Sequence, residues 1–210
     1  MFRRIFLFVL ILALALSVGV APAAARAETF HFSTRGLTAY ANFYRVDDSG
    51  CIETYADLNA TDGKVKQTGK PEMISEMFVY LYQVDFCTGE WLLEAFGYAS
   101  LAPDDFVIDK GFNSATLRAE ISVYDYVSGS EFPLSVDISL ATTGGVYQQK
   151  YHAQYRSPEF KYNYRFMGTF REATAAGSVY GAGIEFAPWP SSYAELANVK
   201  SGEVDIFKYP

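Results

Sequence analysis

Apolar and polar positions alternate with a period of two along most of the chain, and turn residues interrupt this alternation about every ten residues. Such alternation predicts half-buried β-strands. The clearest case is a hairpin with strands over 77–86 and 91–99, joined at the turn Cys87-Thr88-Gly89. Both faces of this hairpin are largely apolar, so we expect it to lie in the middle of a sheet.

The same pattern extends to the rest of the chain. Further strands are predicted over 37–46, 51–60, 106–109, 114–127, 132–141, 146–156, 160–171, 177–187 and 203–208. We expect 28–36 to form a lead-in or an edge strand, 61–72 a loop, and 191–198 the only helical turn. The pattern predicts an all-β fold, an antiparallel sandwich or barrel of roughly eight to ten strands that are mostly connected as hairpins.

The first 27 residues have the order of a secretory signal peptide. A basic start containing Arg3 and Arg4 precedes an apolar run over 5–20, and Ala25 and Ala27 form an A-x-A cleavage site. Cleavage after Ala25 and an uncleaved anchor helix are the alternatives. We therefore expect a secreted protein, extracellular or periplasmic, with a single mature domain over 28–210 and no transmembrane segment in that domain.

The charge of the mature chain narrows the class of partner. Without the three arginines of the signal peptide, 14 basic residues face 24 acidic ones, which gives a formal charge of −10. Binding to nucleic acid depends on clustered Lys and Arg, so this acidic balance argues against nucleic acid as the main partner. Aromatic residues make up 17% of the chain, which is consistent with a structure built from strands.

The chain has two cysteines. Cys51 follows a predicted turn, Asp47-Asp48-Ser49-Gly50, and Cys87 lies in the turn of the central hairpin. Two cysteines in an exported protein most simply form a disulfide. We expect this disulfide to join two adjacent hairpin ends.

Residues suited to nucleophilic catalysis are sparse. The chain holds two histidines, His31 near the mature start and His152 in a predicted strand, and it lacks the G-x-S-x-G motif that presents a serine nucleophile. A disulfide would leave no thiolate. The sequence therefore assigns no catalytic residue and implies no cofactor.

Two pairs of carboxylates can be compared with the spacing that glycoside hydrolysis needs. Glu90 and Glu94 share a strand face about 13 Å apart, which exceeds the ~5 Å or ~6.5–9.5 Å separations of such enzymes. Glu203 and Asp205 lie two residues apart, at roughly 7 Å. That spacing is allowed, but it is also common on solvated faces.

A possible metal motif occurs at 57–63, which begins like a calcium-binding loop, D-x-N. Its glycine comes one position late, and Thr68 stands where the bidentate glutamate should be. We therefore expect a polar turn there and no metal. Asn59 also begins a glycosylation sequon, which matters only in a eukaryotic source.

The predicted hairpin over 146–171 has two very different faces. One face is aromatic and is expected to lie in the core or to line a cavity: Tyr147, Tyr151, Tyr155, Phe160, Tyr162, Tyr164, Phe166 and Phe170. The other face is polar and basic: Lys150, His152, Gln154, Arg156, Lys161, Asn163, Arg165 and Arg171.

Three interpretations of the basic face remain open, and the simplest is a solvated face with no role. Glu120 and Asp137 of the preceding hairpin could neutralise it in a lattice of charges, because directly opposed like charges destabilise a strand pair. Alternatively, its local potential could bind an acidic glycan or another anionic surface despite the acidic net charge. In that case the candidate residues are Lys150, His152, Arg156, Lys161, Arg165 and Arg171.

These observations favour an exported, non-enzymatic β-protein that binds a ligand or a surface, or that has a structural role. One alternative is a secreted hydrolase acting on polysaccharide, which would need two carboxylates that converge in a tyrosine-lined cleft. A second alternative is a carrier of a small apolar molecule, which would need a closed apolar cavity.

The signal-peptide interpretation predicts the mature N-terminus. Edman or mass-spectrometric sequencing of the exported protein should find Glu28 as its first residue, since cleavage follows the A-x-A site. A chain that retains residues 2–20 and partitions with membranes would instead indicate an anchor.

Overall fold

A computed structural model describes residues 28–67, 69–109, 111–187 and 193–207; the predicted signal peptide lies outside these residues. The described residues form antiparallel strands, as the alternation predicts. The strands are β1 (Glu28–Val46), β2 (Ile52–Gln67), β3 (Glu72–Asp85), β4 (Glu90–Ser100), β5 (Phe106–Ile108), β6 (Ser114–Asp125), β7 (Ser130–Arg156), β8 (Phe160–Gly181), β9 (Ile184–Ala187) and β10 (Tyr193–Phe207). Among these residues there is no helix long and apolar enough to cross a membrane.

The strands form one sheet that closes on itself. Its order is β1-β2-β3-β4-β6-β7-β8-β10, and β10 pairs with β1 to complete a ring. The joint between β4 and β6 has three residue pairs, and the short β5 pairs farther along β6. The central hairpin, β3–β4, lies within the sheet between β2 and β6, which confirms its predicted position.

The inside of the ring is filled by side chains. Every second residue of the ring strands points inward and is buried, including Phe43, Leu58, Leu81, Leu134 and Leu196. A ring of eight strands is just wide enough for side chains to fill it. Within the described residues, the ring therefore holds a packed core and not the enclosed apolar cavity that a carrier of small molecules would need.

Several strands continue past the points where turns were predicted. The sequence pattern places a turn at Thr142-Thr143-Gly144-Gly145, between the predicted strands 132–141 and 146–156. In the structure this segment is a bulge inside β7, and the pairing resumes at Val146 opposite Arg171. The predicted loop over 61–72 is strand as far as Gln67. The predicted helical turn over 191–198 is wrong for its described part, since β10 begins at Tyr193 and pairs with both β1 and β8.

These continuations carry part of the sheet beyond the packed core. We call this part the extension; it comprises residues 28–37, 61–67, 72–76, 146–156, 160–171 and 198–207, in the strand order β7-β8-β10-β1-β2-β3. Gly36 and Gly63 face each other where the ring passes into the extension. A Cβ on Gly63 would lie 2.5 Å from the Arg35 carbonyl oxygen, so only glycine allows the two strands to approach this closely.

At the opposite end of the ring, aspartates organise the turns. Asp47 accepts hydrogen bonds from the backbone N–H of Cys51 and Ile52, and Asp85 accepts them from Cys87 and Thr88. The glycines of these turns adopt positive φ, at 75° for Gly50 and 78° for Gly89. This is the local chemistry expected of Asp-Ser-Gly and Asp-x-x-Thr-Gly turns.

The two turns are joined covalently, since Cys51 and Cys87 form a disulfide with a Cα–Cα distance of 5.3 Å. The predicted pairing of adjacent hairpin ends is therefore confirmed. The bond links the β1–β2 turn to the β3–β4 turn across a sequence separation of 36 residues. Such a disulfide is typical of proteins that fold in an oxidising compartment.

Removing the disulfide should destabilise the protein without changing its fold. Constraint of the unfolded chain predicts a loss of about 3–4 kcal/mol in the free energy of unfolding for the double variant Cys51→Ser/Cys87→Ser. Urea unfolding with and without reductant measures this loss. Reductant should lower the midpoint of the parent and leave the variant unchanged; an unchanged parent whose thiols have become titratable would contradict the prediction.

Candidate anion-binding face

The register shows which face of the extension continues the inside of the ring. The core residue Leu196 lies directly opposite Arg171 on β8 and Ala39 on β1. Directly opposed residues of an antiparallel pair share a face. Arg171 therefore lies on the inner face, and the alternation carries this face outward into the extension, where it is open to solvent.

Cations crowd this inner face. Lys200 of β10 is directly opposite Arg35 of β1, and Arg35 is directly opposite Lys64 of β2, so three positive charges stand side by side on neighbouring strands. The same row continues with Met167 and Lys150 on β8 and β7. No acidic residue interrupts the row.

The predicted basic residues of the 146–171 hairpin belong to this face. Arg156 is directly opposite Lys161, and His152 is directly opposite Arg165 and hydrogen-bonded to Asn163 at 3.3 Å. Of the 14 basic residues that follow residue 27, the inner face of the extension gathers nine: Arg35, Lys64, Lys66, Lys150, Arg156, Lys161, Arg165, Arg171 and Lys200. Asp62 is the single acidic residue among its described positions.

The charge lattice considered from the sequence does not form. Glu120 and Asp137 lie on the outer face of the ring, because each alternates with inward-pointing, buried neighbours. Asp137 instead pairs with Arg118, also on the outer face, at 3.0 Å. The cations of the inner face are therefore left without acidic partners in the described part of the chain.

Arg171 differs from the other cations of the face. Its guanidinium donates hydrogen bonds to the Phe112 carbonyl oxygen at 3.1 Å and to Asn113 Oδ1 at 2.6 Å. These contacts hold the segment after β5 against the mouth of the ring, where Phe112 packs on the core. Arg171 thus contributes to closing the core at the base of the extension.

The aromatic face of the 146–171 hairpin is on the outside. Its prediction as core is wrong, because the bulge in β7 preserves the alternation and the inward positions belong to the basic residues. Tyr151 and Tyr155 are 60% and 58% exposed. The rings pack against their neighbours within the sheet, as between Tyr147 and Phe170, whose centroids are 5.3 Å apart.

Tyrosine hydroxyls donate hydrogen bonds to carboxylates of the outer face. Tyr40 and Tyr55 both donate to Asp57 Oδ2 at 3.2 Å, and Tyr147 and Tyr193 both donate to Glu195. Three further carboxylates accept hydrogen bonds from tyrosines: Glu53 from Tyr44 and Tyr82, Glu94 from Tyr80, and Glu76 from Tyr98. These five acids therefore find neutral donors, whereas Asp137 pairs with Arg118.

Burial beneath the tyrosines raises the pKa of Asp57. Desolvation raises its pKa to about 6, although the hydrogen bonds from Tyr40 and Tyr55 act in the opposite direction. Burial and the nearby Glu94 carboxylate likewise raise the pKa of Tyr80 to about 12. The outer face thus holds Asp57 in a partly desolvated aromatic layer.

Glu203 and Asp205 also lie on the outer face, beside Tyr164 and Tyr162. Burial and the hydrogen bond that protonated Glu203 donates to Asp205 raise the pKa of Glu203 to about 7. Burial raises the pKa of Asp205, although this hydrogen bond acts in the opposite direction. The pair lies on an open sheet, so the described residues do not provide the cleft that a polysaccharide hydrolase would need.

The calcium-like segment is not a turn. Residues 57–63 lie inside β2, where Asp57 is held by tyrosines and Asn59 is half-buried. Cys51, Cys87 and Asp85 are close enough together to resemble a metal-ligand group, but the two sulfurs are bonded to each other. Neither location therefore offers a set of free ligands.

Sequence reasoning missed four cations of the inner face: Arg35, Lys64, Lys66 and Lys200. Three of them lay in segments predicted as a lead-in or a loop, and Lys200 followed the predicted helical turn. Alternating positive charges within 64–66 were the available signal, but only the pairing of β10, β1 and β2 brings these residues beside the 146–171 hairpin.

Comparison with known proteins returns neither a protein-family match nor a curated relative. A solved structure from Nitrosomonas europaea, whose protein carries the provisional name AttH, overlaps 86% of this chain and 52% of its own at 10% identity and a TM-score of 0.26. The chain thus spans about half the length of that protein.

The pKa of Asp57 predicts how stability depends on pH. The folded protein holds this proton more tightly than the unfolded chain does, so stability falls as the pH rises from about 4 to about 6. Asp57→Asn removes this effect. Relative to the parent, the variant should gain on the order of 2–3 kcal/mol in the free energy of unfolding across that window.

Urea unfolding at pH values on both sides of the window measures the gain. Asp48→Asn, in the exposed β1–β2 turn, provides the baseline for removing a carboxylate outside the tyrosine layer. A difference between parent and Asp57→Asn that stays constant with pH would show that Asp57 carries no such shift.

Proposed function

We propose that this chain is an exported binding protein that holds an acidic glycan on the inner face of its extension. The single observation that carries the proposal is the row of directly opposed cations, Lys200, Arg35 and Lys64, with no acidic residue between them. The disulfide supports an oxidising location for the folded protein. The signal-peptide pattern is the basis for its export.

The electrostatics of the row favour an anionic ligand. Directly opposed like charges destabilise neighbouring strands by about 0.2–1 kcal/mol for each pair. The described part of the chain offers these cations no acidic partner, so a bound anion would relieve the repulsion. The net acidic charge does not oppose this, because local potential near a cluster outweighs distant charges that salt screens.

The shape of the face favours a polymer over a small enclosed ligand. Cations recur along the extension in rows, from Arg171 at its base to Lys161 and Arg156 at its tip. Successive rows on one face are about 6.6–6.8 Å apart, and neighbouring strands about 4.8 Å apart. A chain that bears repeated negative charges could contact several rows at once, which multiplies weak individual contacts.

Neutralising Arg35, the central cation of the row, should weaken ligand binding while it increases stability. Arg35→Gln removes a charge that is flanked on both sides by lysine, so it should weaken retention on an anionic glycan matrix and raise the free energy of unfolding at low salt by about 0.2–1 kcal/mol. Salt-gradient elution from immobilised heparin measures retention, and urea unfolding measures stability.

Arg118→Gln is the matched control, because it removes the same charge from the outer face of the ring. It should elute with the parent. Retention that is insensitive to salt, or that both variants lose equally, would reject the site. Stronger salt-sensitive binding of the parent to anionic lipid vesicles than to the glycan would reject the glycan as the ligand.

A further inference from the structure

The part of β7 that lies in the extension has a free edge. Up to residue 141, β7 pairs with β6 on one side and with β8 on the other, but from Val146 to Arg156 it pairs with β8 alone among the described residues. Edge strands of this kind are open to pairing with another chain unless proline, bulges or charges protect them. This segment contains no proline, its bulge lies before Val146, and its lysine and arginine, Lys150 and Arg156, both lie on the inner face.

The aromatic rings along this edge are covered on one side only. Tyr147, Tyr151 and Tyr155 pack toward β8, with ring centroids 5.3–6.2 Å from those of their β8 neighbours. Their β8 neighbours are half-buried or buried, whereas Tyr151 and Tyr155 are 60% and 58% exposed. A further strand beside β7 would cover these rings in the same way.

The sequence of the edge is complementary to itself. If two copies pair antiparallel about a two-fold axis through Tyr151, each tyrosine meets a tyrosine: Tyr151 meets its own copy and Tyr147 meets Tyr155. On the opposite face, Lys150 meets His152, Gln148 meets Gln154, and Val146 meets Arg156. Aromatic pairs across strands are stabilising, and this register opposes no lysine or arginine to another.

Neighbouring registers either oppose cations or leave tyrosines without a tyrosine partner. An axis through Lys150 would oppose the two copies of Lys150, and an axis through Ala153 would oppose Lys150 to Arg156. An axis through His152 would place Tyr151 against Ala153 and Tyr155 against Gln149. The register about Tyr151 is the one of these that pairs the whole segment and matches all three tyrosines.

We propose that two copies of this chain associate through the β7 edges of their extensions, in antiparallel register about Tyr151. The paired edges would join the two extensions into one continuous sheet, with both inner faces on the same side. This proposal is independent of the glycan site, because the dimer forms through backbone hydrogen bonds and the tyrosines of the outer face.

A single introduced cysteine tests the register. In an antiparallel pair, opposed Cα atoms are about 4.5–5.5 Å apart, within the range that a disulfide spans. Tyr151→Cys should therefore form a covalent dimer under mild oxidation, read by non-reducing electrophoresis. Tyr155→Cys should not, because the two copies of residue 155 would lie about 27 Å apart. A mixture of Tyr147→Cys and Tyr155→Cys chains should cross-link to each other.

Sedimentation of the exported chain tests the association itself. The parent should sediment as a dimer at high micromolar concentration, and Tyr151→Lys, which opposes two like charges on the axis, should raise its dissociation constant about tenfold or more. Tyr180→Lys, at a similarly exposed tyrosine of β8 away from the edge, should sediment as the parent does. A monomeric parent, a larger assembly, a Tyr151→Lys dimer of unchanged affinity, or equal cross-linking of the Tyr151→Cys and Tyr155→Cys variants would overturn the proposal.

Discussion

Side chains of a strand alternate between its two faces, and the other features of this protein depend on strands that run unbroken from a closed ring into an open sheet. Inside the ring, the inward positions are apolar and packed, as at Ala39 and Leu196. Two residues farther along the same face, packing ends, and two residues beyond that, Arg35 and Lys200 are directly opposed in solvent. A slip of one residue in β7 or β8 would exchange the basic face for the aromatic one.

The acids and bases of this chain are segregated by that constraint. On the outer face, tyrosine hydroxyls satisfy the carboxylates, with two donors each for Asp57 and Glu195. These acids are satisfied by neutral donors, and nine lysine and arginine residues lie on the other face. An acidic protein can therefore carry a concentrated basic surface, and this combination is the physical basis of the proposed glycan site.

Local chemistry predicted the strands of the ring, the turns at Asp47 and Asp85, and the disulfide, because each depends on residues close in the sequence or on the only two cysteines. It failed where tertiary pairing overrides local signals. The glycines at 144 and 145 suggested a turn, yet β7 absorbs them in a bulge between two paired segments. The tyrosines of 146–171 suggested a core, because the sequence does not reveal where the closed sheet ends and the open extension begins. Arg35 and Lys64 meet through the β1–β2 pairing, and Lys200 joins them only through the closure of β10 onto β1.

The central claim is that the inner face of the extension binds the ligand, and lysine footprinting with acidic glycan tests it most directly. Amine-reactive labelling, quantified by mass spectrometry with and without heparin, reports each lysine separately. The account predicts protection of Lys64, Lys150, Lys161 and Lys200, while Lys70, in the loop between β2 and β3, labels equally in both conditions. Uniform protection that includes Lys70, or no protection at saturating glycan, would contradict it.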